Sequence, residues 1–60
     1  MLRSDLLSLR TSFSRLPESF RRQIGLRYIR EAIQLLGRND VEAERLFREA
    51  KFHLPYAEAA

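Results

Sequence analysis

The amino-acid sequence predicts an all-α protein, either a three-helix bundle or an antiparallel helical hairpin with an added N-terminal helix. Apolar residues recur at intervals of three and four along most of the chain, which lines one face of a helix. Only two Gly and two Pro are present, too few for the many reversals of a sheet. Pro17, Gly37 and Pro55 fall between or after the periodic stretches. The expected organisation is one domain over residues 1–60, with helices at about 2–15, 18–36 and 40–54.

In the first segment Leu2, Leu6, Leu9, Phe13 and Leu16 make a single apolar stripe. Ser4, Ser8, Thr11, Ser12 and Ser14 occupy the other side, so this helix has low intrinsic propensity and depends on packing. Pro17 disfavours helical geometry at Leu16 and suits the first turn of the next helix, which is expected to start at Pro17 or Glu18. The second segment shows a broad apolar face of Phe20, Ile24, Tyr28, Ile29, Ala32, Ile33, Leu35 and Leu36. Such a face touches two neighbours, making this the central helix. Gly25 inside it points to a close helix contact, a kink or a break, and Gly37 ends it. Asn39 or Asp40 is the expected N-cap of the third segment, and Glu42 follows in the first turn. Ala43, Leu46, Phe47, Ala50 and Leu54 form its inner face, Pro55 closes it, and Tyr56–Ala60 either extends one last turn or frays.

Size limits what this chain does alone. Sixty residues bury a small core, and with no Cys there is neither a disulfide nor a thiolate metal site to reinforce it. Close helix packing and a partner chain are the remaining sources of stability, and both are expected. No apolar run approaches the 18 or so residues of a membrane span. Glu49 and His53, four apart, share a helix face, but no further His or Cys completes a metal site. Neither a Gly-rich phosphate loop nor a hydroxyl beside a plausible base is present. The expectation is a non-enzymatic chain without cofactor or metal.

Charge is unevenly placed. Residues 1–38 hold eight Arg against Asp5, Glu18 and Glu31, a net +5, whereas residues 39–60 hold three basic residues against five acidic ones, a net −2. Arg suits forked contacts with carboxylates and phosphates, so Arg15, Arg21, Arg22, Arg27 and Arg30 are the candidate basic contacts for an acidic partner. The plain alternative for them is a solvated face. Nucleic-acid binding by the basic half is the alternative function, opposed by the acids that follow Gly37. Attachment of the first helix to an anionic membrane surface is a third reading. Phe13, Phe20, Ile24 and Tyr28 are the candidate apolar contacts with a protein partner or a second copy. Met1-Leu2-Arg3, Arg10, Arg15 and the serines have the composition of a mitochondrial targeting segment. The segment is read as a structural helix, with an added targeting role left open. An intracellular location follows, with mitochondrial and cytoplasmic compartments both open.

Leu16-Pro17, Phe20, Ile24-Gly25, Tyr28-Ile29-Arg30-Glu31 and Glu42 through Glu49 resemble the later helices of the LYR family of mitochondrial assembly factors and adaptors. Leu9-Arg10 stands without the intervening Tyr of that family's Leu-Tyr-Arg signature. The resemblance implies a three-helix mitochondrial adaptor whose basic surface receives acyl carrier protein, with Arg21, Arg22, Arg27 and Arg30 in contact. Tyr28, Ala32 and Leu35, followed by Ala43, Phe47, Ala50 and Pro55, are similar to a single tetratricopeptide hairpin. The function expected is that of a small binding subunit or adaptor, working through apolar helix faces with arginines orienting an acidic partner.

Overall fold

The computed structural model describes residues 1–60 and contains three helices, α1 (Leu2–Ser14), α2 (Phe20–Leu35) and α3 (Asp40–Ala59), and no strand. Helix α1 forms despite its hydroxyl residues because the helix itself takes up three of them. Thr11 Oγ1 donates to the Leu7 carbonyl at 3.1 Å, Ser12 Oγ to that of Ser8 at 3.2 Å, and Ser14 Oγ to that of Arg10 at 2.8 Å. Its apolar stripe supplies the rest: Leu6, Leu9 and Phe13 are buried, with Leu2 and Leu16 packed against the same core.

Helix α2 begins at Phe20, two or three residues later than the sequence predicts. Ser19 is the reason. Its backbone is extended (φ −164°, ψ 163°) and its hydroxyl accepts the Arg22 N–H at 3.1 Å, so Ser19 is the N-cap and Pro17 stays outside the helix. Helix α2 runs unbroken through Gly25, which marks a close contact. A methyl group built on it would meet Phe13 Cε2 at 2.9 Å, so the absence of a side chain lets the aromatic ring lie against the α2 backbone.

At the far end Gly37 turns the chain with φ +80°, a conformation that side chains disfavour. Arg38 and Asn39 both donate their N–H to the Leu35 carbonyl, at 2.9 and 2.8 Å. Asn39 caps α3 by accepting the Glu42 N–H at 3.2 Å, and Asp40 Oδ1 accepts the Gly37 N–H at 2.8 Å. Helix α3 then continues through Pro55, which the sequence predicts as its end. Pro55 lies on the exposed side and its missing N–H frees only the Lys51 carbonyl, while Ala57 is buried in the core beyond it. Packing of that last turn outweighs the local cost of the proline.

Helices α2 and α3 run antiparallel in the most extensive contact of the molecule, and α1 lies along α2 and touches α3 more lightly. Helix α2 is therefore central. Ala43, Ala50 and Ala57 on α3 repeat every seven residues and are all buried, which lets α2 and α3 approach closely. With Leu46 they meet Ile29 and Ala32 of α2 and the α1 stripe in one core of nine apolar residues. The bundle measures 33 × 15 × 14 Å. No helix is long and apolar enough to cross a membrane.

Candidate interaction surface

Helix α1 occupies one side of the α2/α3 pair, where Leu26 and Ile33 of α2 and Phe47 and Leu54 of α3 pack against the core. On the other side the pair is joined by an arginine and four rings. Arg21 Nη1 lies 3.1 Å from His53 Nδ1, and its guanidinium carbon sits 4.7 Å from the centre of the Tyr56 ring. A guanidinium only donates, so Nδ1 is the acceptor in this contact. The His53 ring lies between Tyr28, at 5.8 Å, and Phe52, at 5.5 Å and nearly edge-on; Phe52 in turn lies 5.4 Å from Tyr56.

Much of this apolar surface faces solvent. Phe20 is 72% exposed, Phe52 58% and Tyr56 50%, and Ile24 and Tyr28 are half-buried. Two stripes of identical spacing lie along this face. On α2 they are Phe20, Ile24, Arg27 and Glu31; on α3, Arg45, Glu49, Phe52 and Tyr56. Steps of four, three and four keep each stripe on one face of its helix. The contacts of Arg21 with His53 and Tyr56 set the antiparallel register. In that register Phe20 stands level with Tyr56, Ile24 with Phe52, Arg27 with Glu49 and Glu31 with Arg45.

The arginines singled out from the sequence do not form one patch. Arg22 serves the fold: Nε donates to the Phe13 carbonyl at 3.1 Å and Nη1 pairs with Glu18, which ties the end of α1 to the start of α2. Arg21 is engaged with His53 and Tyr56. Arg15, Arg27 and Arg30 are exposed and none has a carboxylate partner. Arg27 and Arg30 line a hollow with Phe20, Gln23 and Ile24, and Arg30 also borders a groove with Arg10 across α1 and α2.

Of the four apolar candidates, Phe20, Ile24 and Tyr28 lie on the open face, but Phe13 does not. It is fully buried, because Gly25 leaves room for its ring inside the bundle, and it cannot meet a partner. Phe52, His53 and Tyr56 belong to the face and are not among the partner contacts named from the sequence. Ending α3 at Pro55 hides Tyr56; Phe52 and His53 precede that point, and the spacing of Arg45, Glu49, Phe52 and Tyr56 is the signal that joins them on one face.

Further along α3, Arg45 and Glu42 form a two-pronged pair, with Nε to Oε1 at 2.8 Å and Nη2 to Oε2 at 2.6 Å. The hydrogen bond from Arg45 and then its charge hold the Glu42 carboxyl below its ordinary range, and the same pair raises Arg45 further. Arg48 pairs with Glu44 at 3.2 Å. The α3 side of the face is thus largely charge-neutral.

No family model, curated protein or solved structure matches this chain.

Proposed function

We propose that the protein is a non-catalytic helical binding subunit whose α2/α3 face takes a protein partner, with unpaired arginines orienting the approach. The observation that carries this is the exposure of Phe20, Phe52 and Tyr56 together on the face that α1 leaves open. Burying a large apolar side chain is worth roughly 1.5–3 kcal/mol, so three exposed rings leave a strong drive for association. A core of nine residues gives the chain reason to gain stability from that association. Arg27 and Arg30, free of carboxylates, favour acidic groups at the α2 border. The likeness to the LYR adaptors offers acyl carrier protein as one acidic partner and assembly of a larger complex as the setting.

The test is photocross-linking in the cells that make the protein. A benzophenone amino acid in place of Phe52 is expected to trap a discrete adduct, and the same group in place of exposed Ser4 on α1 is not. Absence of a Phe52 adduct, or an equal one from Ser4, overturns the assignment of the face.

A further inference from the structure

We infer that the α2/α3 face binds a second copy of this chain, the two copies being related by a two-fold axis that runs parallel to the helices. This rests on the reading of that face as a binding surface and names its occupant.

The argument comes from the order of residues along the two stripes. Reading α2 from its N-terminus gives Phe20, Ile24, Arg27, Glu31; reading α3 from its C-terminus gives Tyr56, Phe52, Glu49, Arg45. Each level of the face therefore holds two apolar residues or one cation and one anion. A two-fold axis parallel to the helices lays α2 of one copy over α3 of the other and keeps the levels unchanged. Phe20 then meets the second copy's Tyr56, Ile24 meets Phe52, Arg27 meets Glu49 and Glu31 meets Arg45. Every contact occurs twice and every one is complementary.

Other placements of the second copy do not achieve this. An axis perpendicular to the helices puts α2 on α2 in opposite directions, with Phe20 against Glu31 and Ile24 against Arg27, burying charge on apolar groups.

Charge also selects the occupant. The two stripes carry Arg27 and Arg45 against Glu31 and Glu49, and Arg45 is already held by Glu42, so the face has no surplus of positive charge. A nucleic acid laid along the face would meet Glu31 and Glu49 with like charge, and an acidic protein would gain only at the α2 border, from Arg27 and Arg30. A second copy sets Arg27 against Glu49 and brings Arg45, shared with Glu42, to Glu31.

Sedimentation equilibrium of the full chain tests the inference, with circular dichroism confirming unchanged helix content in each variant. The wild type is expected to rise from the monomer mass of 7.1 kDa toward twice that value over the micromolar to submillimolar range. Arg27→Glu sets like charges against each other at two symmetric places and is expected to weaken association at least about tenfold. Adding Glu49→Arg re-pairs them and is expected to restore most of the loss, while Phe52→Ser weakens association without repair by either charge change. A wild type that stays monomeric, or a double variant no better than Arg27→Glu alone, overturns the inference. If the chain is monomeric and Phe52 still cross-links to a protein of different mass, the second copy is excluded and the binding face stands. A monomer with no adduct overturns both.

Discussion

The ring of Phe13 on α1 lies against the backbone of Gly25 on α2, so that a methyl group built on the glycine would meet Phe13 Cε1 at 2.5 Å and Cζ closer still. Phe13 is fully enclosed and has nowhere to move. Gly25→Ala is therefore expected to destabilise the bundle even though alanine is the better helix former by about 1 kcal/mol. Overpacking a fixed core ring costs roughly 1–3 kcal/mol, and the close contacts place this site at or above the upper end, for a net loss of about 2 kcal/mol. Urea unfolding of Gly25→Ala, Phe13→Leu and the double variant measures it. The expected signature is a coupling in which the smaller residue 13 recovers part of the loss.

Gly37 is needed for a different reason. Nothing lies within 4 Å of a methyl group built there, but its φ of +80° is costly for any side chain. Gly37→Ala is expected to lose about 1 kcal/mol, without any partner change that repairs it. The same unfolding measurement separates the two glycines, since only Gly25 couples to a neighbouring side chain.

How much of this was legible in the sequence follows from where the information resides. The three helices, the α1 stripe and the turn at Gly37 are local matters of spacing and backbone conformation, and they read directly. The close contact at Gly25 was visible as one of three explanations for a mid-helix glycine; its partner, Phe13, was not, because the pairing lies between helices. The start of α2 was misplaced because Ser19 as an N-cap competes with Pro17 as a first-turn residue, and the hydrogen bond to the Arg22 N–H decides between them. Pro55 misled most. A proline usually ends a helix, and the packing of Ala57 shows why this one continues; ending the helix there removed Tyr56 from the sequence-based site.

Arg22 joins α1 to α2 and is not available as a partner contact. Arg22→Ala leaves the Phe13 carbonyl with one donor fewer, its remaining one being the Leu16 N–H at 3.0 Å. The expected cost is about 1–1.5 kcal/mol, nearly all from the carbonyl contact, because Glu18 is largely exposed and its ion pair is screened. Lysine at this position, lacking the guanidinium fork, is not expected to restore the loss. Thermal unfolding of the alanine and lysine variants, with Glu18→Gln as a near-neutral companion, checks the assignment.

The Glu42–Arg45 pair gives stability a pH dependence of known sign. The carboxyl of Glu42 is held below its ordinary value of 4.5 in the folded chain, first by the hydrogen bond from Arg45. Its contribution is present in full above that ordinary value and is lost as pH falls through the lowered folded one. Glu42→Gln is expected to flatten the acid limb of the stability curve below about pH 4.5 and leave its shape near neutrality unchanged. Denaturant midpoints from pH 7 to pH 2 give the comparison. Added salt is expected to shrink the difference, since the pair lies in solvent.

The shared α2/α3 face is tested most directly by an isotope-filtered nuclear Overhauser experiment on an equimolar mixture of labelled and unlabelled chains. Cross-peaks between copies are expected from the Ile24 methyl groups to the Phe52 ring and from the Phe20 ring to Tyr56, in a sample whose α1 surface shows none. A mixture lacking peaks between copies at concentrations approaching millimolar, or one with peaks arising from α1, would contradict it.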